Sequence, residues 1–484
     1  MADEVREFAV EFQRFVRRMS ELAGEGDGRH SLLRERIDAH LGRDSAELPV
    51  VSEGFAPYDQ VNVQVAMTAY LERGERAHEL LGLAGGFRHQ GSFSDILQVP
   101  GYGMGRNSSV EYRNLPVGPT ETLACVQFGV FLISEGDRRL AVMMRGPDEH
   151  GMQSGVTLEV ISGDEDVPPE FLAEIRTLVV ELNVFRGQVI SFGTAGEFDH
   201  HGLGPVVFFE RPNLRGDQLI LPETATGAIE AQVFGIARQK ERLLASGQHL
   251  KRGLLLHGPP GTGKTLTVRY LISNLREHTV VLLTGRGLHR ISAACGLARL
   301  LQPSVVVLED VDLVAEERGV YHGNPVLFEV LNEMDGIEED ADVVFLLTTN
   351  RADRLEPALA ARPGRVDLAI EIPLPADDSR RRLIELYGRD VDLRLDDVDR
   401  VVERTAGVTA SFVKELMRKA ALVSALRADG DGRISVTDAD INAALDELLA
   451  EETSLTRRLL GGAQRTADAP PRPGTEWLVG FDEE

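Results

Sequence analysis

Arg252-Gly-Leu-Leu-Leu-His-Gly-Pro-Pro-Gly-Thr-Gly-Lys-Thr265 is the stretch on which the reading of this chain turns. A short apolar strand runs into a glycine-rich loop, and a helical pattern begins near Leu266. Such a loop turns successive backbone N–H groups inward, and that cradle suits the clustered negative charge of β- and γ-phosphates. Gly258, Gly261 and Gly263 supply the backbone freedom, with Pro259, Pro260 and Thr262 between them. Lys264 is placed to reach the phosphates and Thr265 to offer a hydroxyl to Mg²⁺. The positive end of the following helix adds to the attraction. The chain is therefore expected to bind ATP with Mg²⁺.

Composition bounds the rest. The 484 residues suffice for about three domains, and a hydrophobic content of 43% with 27% charged residues is that of a globular chain. No apolar run has the length of a membrane span, and the first residues lack a basic segment followed by an apolar one, so a cytoplasmic location without membrane contact is expected. Cys125 and Cys295 stand far apart and fit a reducing compartment. A net charge of −25 argues against a nucleic-acid partner, because phosphate affinity comes mainly from Lys and Arg.

Taken in order, the chain predicts an amphipathic helix over 2–22, a second helical pattern over 59–83, and a glycine-broken loop region up to 105. Strands are expected over 123–134, 139–144 and 156–161, a helix over 168–184, and strands over 189–192 and 206–209. The expected division is a helical region 1–105, an α+β domain 106–225 that recognises a client, an α/β domain 226–377, an all-α lid 378–455 and a flexible tail 456–484. After the phosphate loop, strands over 279–284, 304–309, 343–349 and 368–372 alternate with helices. That alternation predicts a parallel, doubly wound sheet with nucleotide at the carboxyl ends of its strands. Asp199-His200-His201 has no further ligand at suitable spacing and is expected to be a loop rather than a metal site.

Four stretches after the loop resemble the AAA family of ring-forming ATPases, over roughly residues 230–450. Val305-Val-Val-Leu-Glu309-Asp310-Val-Asp312 looks like Walker B, and Val330-Leu-Asn-Glu-Met-Asp-Gly336 is similar to the helix that follows it. Leu346-Leu-Thr-Thr-Asn350 looks like the sensor strand, and Glu356-Pro-Ala-Leu-Ala-Ala-Arg362-Pro-Gly-Arg365-Val-Asp367 like the second region of homology. The resemblance implies that Glu309 serves Mg²⁺, that Asp310 orients the attacking water with Asn350, and that Arg362 and Arg365 reach a neighbouring subunit's nucleotide. It implies in turn a homo-oligomeric ring, a hexamer, with a protein client.

The departures are specific. Glu309-Asp310 inverts the family's usual order, as in the mitochondrial translocase of the Rieske protein, and Tyr387 stands where many members have a histidine near the adenine. An extra alanine lies before Arg362. No His-Glu-x-x-His motif occurs, which sets the chain apart from the family's membrane-bound proteases. The loop that grips an extended client in threading members corresponds to residues 285–296, which contain no Phe, Tyr or Trp. Leu288, His289 and Ile291 are its only candidate grips, so remodelling with weak processive unfolding is expected. Two other functions compete: a slow nucleotide switch or scaffold, and a nucleic-acid motor that the acidic composition disfavours.

Overall fold

The computed structural model describes residues 32–74, 76–84, 92–98, 106–147, 155–194, 203–312, 325–338, 340–352, 366–427 and 433–450. The N-terminal helix expected over 2–22, the histidine pair at 200–201, Arg362, Arg365 and the tail 456–484 lie outside them.

The first sheet is antiparallel and collects strands from both sides of the boundary expected at residue 105. Its order is β1 (Val51–Phe55), β7 (Val156–Ser162), β6 (Arg138–Arg145), β5 (Thr122–Glu135), β2 (Ala77–Ala84) and β3 (Arg106–Ser108), with β4 (Glu111–Pro116) also on β5. Alternation along the strands sends successive side chains to opposite faces. Leu140, Val142 and Met144 of β6 join one core, whereas Ala141 and Met143 join the other. The first face is covered by α2 (Gln60–Glu72) and α4 (Val167–Glu181), the second by α1 (Leu32–Leu41) and α3 (Phe93–Gln98). The continuous helix expected over 59–83 stops at Glu72, because the chain turns through Gly74 at φ +76° and returns as β2.

The second sheet runs β14 (Leu368–Glu371), β10 (Arg252–His257), β13 (Val343–Thr349), β12 (Ser304–Glu309), β11 (Thr279–Thr284), β8 (Val189–Thr194), β9 (Leu203–Phe209). All neighbours are parallel except the β8–β9 pair. Its strands are buried on both faces: Leu254 and Leu256 pack under α7 (Lys264–Asn274), and Val306 and Leu308 under α8 (Ile291–Leu300) and α9 (Pro325–Asp335). That continuous apolar character is what a parallel sheet covered on both sides requires.

Strands β8 and β9 therefore belong to the nucleotide-binding sheet, and the boundary expected at 225/226 falls inside a folded unit. The two sheets also share one core. Val61, Leu115 and Cys125 from the N-terminal unit pack in a single cluster with Val281, Ile291 and Val306. Tyr58 meets Phe192 at 5.4 Å between ring centroids, and Asn62 Oδ1 accepts from the Val184 amide at 3.0 Å.

The linker to β10 is a broken helix: α5 (Glu223–Ile229), a π-helical turn (Glu230–Gly235), one further turn (Ile236–Arg238) and α6 (Lys240–Ala245). The lid packs α10 (Asp377–Tyr387), α11 (Val398–Arg404), α12 (Ala410–Arg427) and α13 (Asp438–Ala450) around its own core. It is not purely helical, because β15 (Asp392–Arg394) and β16 (Ser435–Thr437) form a short parallel pair.

Candidate active site

The phosphate loop leaves the carboxyl end of β10, the second strand of its sheet, and closes at the first residue of α7. Its glycines hold φ values of +142° at Gly258, +79° at Gly261 and +117° at Gly263, which side chains other than glycine rarely adopt. Space is also short: a Cβ on Gly258 would stand 2.3 Å from the Ile372 carbonyl, and one on Gly261 would meet the Thr409 and Ser411 hydroxyls at 3.1 Å. The Thr262 hydroxyl donates to Pro259 O at 2.9 Å and fixes the curve of the loop.

Lys264 is 6% exposed, and its Nζ donates to the carbonyls of Gly258 and Pro259 at 2.9 Å each. Burial lowers its pKa, while Asp310 and Asp312 oppose the shift. Two carbonyls make modest partners for a buried ammonium, and phosphate oxygens would replace them with stronger, charge-assisted bonds.

The two acids at the end of β12 face different partners. Glu309 is half-buried, and burial together with the neighbouring Asp310 charge raises its pKa. A hydrogen bond with Thr265 and the charge of Arg269 pull the other way, which locates Glu309 on the Thr265 side. Asp310 adopts φ +51°, held by the Thr348 hydroxyl on its amide at 3.0 Å. Its Oδ1 accepts from Asn350 Nδ2 at 3.2 Å. Asp312, 6% exposed, accepts from the Thr349 hydroxyl at 2.9 Å and the Asn350 amide at 3.2 Å, and so fixes the sensor strand from below. The Thr265 hydroxyl and Glu309 carboxylate are hard oxygen donors of the kind Mg²⁺ takes, and a carboxylate whose protonation is favoured by burial gains from a nearby cation.

Lys264, Thr265, Asp310 and Asn350 open on a cavity of about 430 Å³. Its walls come from three parts of the chain: the phosphate loop with Asp310 and Asn350, the linker residues Gln218 to Leu221, and Leu383, Tyr387, Ser411 and Lys414 of the lid. The lid touches the loop directly, since the Ser411 amide and hydroxyl both donate to Gly261 O, at 3.0 and 3.1 Å. A lid–linker ion pair, Arg389–Asp217 at 3.0 Å, stands nearby.

Gly258 through Leu266, Glu309, Asp310 and Asn350 are thus brought together, while Arg362 and Arg365 fall outside the described residues. Asp312, Thr348, Arg269, Ser411 and the linker wall carried no assignment in the sequence reading. Asp312 alone had a visible signal, a third acid two residues beyond Asp310. Leu288 and Ile291 are corrected: they are 1% and 0% exposed and belong to the core. The segment is a 3-10 helix, Gly285–Arg290, running straight into α8, so both side chains turn inward and only His289 of the three is exposed.

Residues 254–374 match the model of the ATPase family associated with various cellular activities. The ATP-dependent zinc metalloprotease FtsH 2 of Sphaerobacter thermophilus is 33% identical over 385 residues, 71% of this chain and 58% of that protein. FtsH 4 of the same organism is 27% identical, over 82% of this chain and 60% of its own length. A chloroplastic FTSH 1 of Oryza sativa subsp. japonica is 29% identical, over 65% and 50%. The chain thus spans between half and three-fifths of the length of these relatives. Among the described residues no helix is long and apolar enough to cross a membrane, and no cluster of three metal-ligating side chains occurs.

Proposed function

Because residues 254–374 are an AAA ATPase domain, we propose that this protein is a ring-forming AAA machine that hydrolyses ATP with Mg²⁺ and remodels a protein client. The observation that carries the reading is the division of labour at the end of β12: Glu309 on the Thr265 side, Asp310 on the Asn350 side.

In this reading Lys264 gives up its two loop carbonyls for β/γ-phosphate oxygens. The inward amides of the loop and the N-terminus of α7 hold the remaining charge. Mg²⁺, when bound by Thr265 and Glu309, neutralises charge on the phosphates. Asp310 and Asn350 orient the attacking water, and Asp312 keeps Asn350 in place. Ser411 and Tyr387 close the lid over the nucleotide and limit water access. Arg362 and Arg365 act on the nucleotide of the next subunit, which makes the ring, a hexamer by family resemblance, the active form.

The client is remodelled rather than threaded. Leu288 and Ile291 are committed to the core, and the β8–β9 hairpin joins the N-terminal unit to the nucleotide-binding sheet. A client held by that unit would feel the motion of the ATPase core directly. The peptidase activity named in the relatives is not carried over, since these 484 residues contain no His-Glu-x-x-His. The reducing cytoplasm remains the location that two buried free cysteines fit best.

The test is a pair of substitutions. Asp310→Asn should bind ATP with Mg²⁺ near parental affinity and hydrolyse it at least about a hundredfold more slowly, the scale of losing a general base. Glu309→Gln should instead weaken Mg²⁺-dependent binding. Turnover by Asp310→Asn at the parental rate would remove the assignment, and the opposite pattern would show that the inverted acids have exchanged roles.

A further inference from the structure

The first turn of α12 lies against the phosphate loop. The Ser411 amide and hydroxyl both donate to Gly261 O, at 3.0 and 3.1 Å, and so fix where that turn stands relative to the loop. Lys414 follows three residues later, about 4.5 Å further along the helix axis and on the same side, because residues i and i+3 of a helix are neighbours on its surface. It is exposed, and with Ser411 it lines the cavity onto which Lys264, Thr265, Asp310 and Asn350 open.

The four cations of α12 are not alike. Arg418 pairs with Glu415, Lys419 with Glu447 and Arg427 with Asp440. Lys414 has no acid partner and no hydrogen bond among the described residues. Its place also runs against the helix dipole, since the positive end of α12 carries no acid in its first turn and a lysine one turn in adds like charge. An anion in the cavity would answer both.

The charge of the cavity wall points the same way. Its other cations, Lys264 and Arg269, come from α7, so that Lys414 is the one cation among the lining residues that the lid supplies. Against these three stands a single lining carboxylate, Asp310, which already accepts from Asn350. That excess of positive charge suits a phosphate chain. A lysine ammonium, a compact charge on a flexible stem, can follow one of its oxygens without demanding a fixed geometry.

We propose that Lys414 is a nucleotide-binding residue supplied by the lid, whose ammonium donates to a phosphate oxygen of bound ATP. The inference rests on the reading of the cleft as the nucleotide site. Lys264 holds the phosphates to the loop, whereas Lys414 ties them to the lid, so that the nucleotide itself draws the two together.

The test is the affinity of the full-length protein for a non-hydrolysable ATP analogue with Mg²⁺, measured by titration calorimetry. Lys414→Gln should raise the dissociation constant about tenfold, the low end for a hydrogen bond to a charged group, and weaken its dependence on salt. Lys414→Arg, which keeps the charge, should retain most of the affinity. Lys419→Ala removes a cation of the same helix that does not line the cavity, and should bind as the parent does. Lys414 is exposed, so circular dichroism should not change, and Lys414→Met serves the same comparison should Lys414→Gln not fold. Parental affinity in Lys414→Gln overturns the proposal, as does an equal loss in Lys419→Ala, which would trace the effect to overall charge. A parent that fails to bind the analogue would remove the reading of the cleft and this inference with it.

Discussion

At the scale of single residues, the site is a set of charged groups kept where water would otherwise compensate them. Lys264 is buried against two carbonyls, and Asp310 is held at positive φ by a threonine hydroxyl and an asparagine amide. Each geometry is sustained by its neighbours rather than by intrinsic preference. Asp59, far from the cleft, shows the same tension without a catalytic purpose. It sits where the N-terminal unit meets β9, with Asn62 donating to it at 2.9 Å, and burial pushes its pKa up to about 6. A carboxyl with a raised folded-state pKa contributes stability that is fully present below its unfolded value, near 4, and is lost as pH rises through about 6. At pH 7 the folded state therefore carries an ionised carboxylate at a cost of up to about 2–3 kcal/mol. Asp59→Asn keeps an oxygen for Asn62 and removes the charge. Denaturant titrations should find the variant more stable than the parent at pH 7, with the difference shrinking to nothing by about pH 3, below the unfolded value. A difference independent of pH would rule out ionisation as its cause.

At the scale of elements, the segment between β11 and α8 is what the proposed remodelling without threading turns on. Gly285 at φ +49° turns the chain directly into a 3-10 helix, and Leu288 and Ile291 drop into the core beneath it. Arg290 hydrogen-bonds to Gly193 of β8, so the segment is tied to the hairpin that leads to the N-terminal unit. Leu288→Ala should behave as a core truncation and lose about 2–5 kcal/mol of stability. A stably folded fluorescent protein fused to a client should keep its fluorescence in the presence of ATP and the parental enzyme. Rapid ATP-dependent loss of that signal would show that the enzyme threads the fusion despite the buried leucine.

At the scale of the whole molecule, the shared core makes one body of the N-terminal unit and the nucleotide-binding sheet. Among the described residues the lid meets the body through Ser411 on Gly261, Arg389 on Asp217 and Ile220 packed against the lid core. An exposed ion pair such as Arg389–Asp217 is worth about 1 kcal/mol at most, so that pair by itself does little to hold the lid in place. Motion between lid and body is then the natural output of hydrolysis, and in the proposed ring it would pass from subunit to subunit. If Arg362 and Arg365 act across the interface, Lys264→Ala subunits mixed with Arg362→Ala or Arg365→Ala subunits should regain turnover that neither possesses alone. Full activity in a dilute monomer would remove the ring from the mechanism.

The amino-acid order by itself determined the nucleotide-binding unit. A parallel strand buried on both faces must read as an apolar run, and a phosphate loop must read as glycines around a lysine, so strands 279–284, 304–309 and 343–349 and the phosphate loop with Glu309, Asp310 and Asn350 were legible locally, whereas the linker and lid walls of the cleft were not. What sequence could not give was partnership at long range. Residues 77–84 are helical or extended according to whether β5 lies beside them, and β8 and β9 join one sheet or another according to which edge is free. Leu288 reads equally well as a grip or as a core side chain, because hydrophobicity fixes the preference for burial and not the direction of the side chain. Only the tertiary structure, which supplies the neighbouring strands and the apolar cavity beneath the 3-10 turn, decides these cases. The free energy that separates the alternatives comes from contacts between residues far apart in the chain.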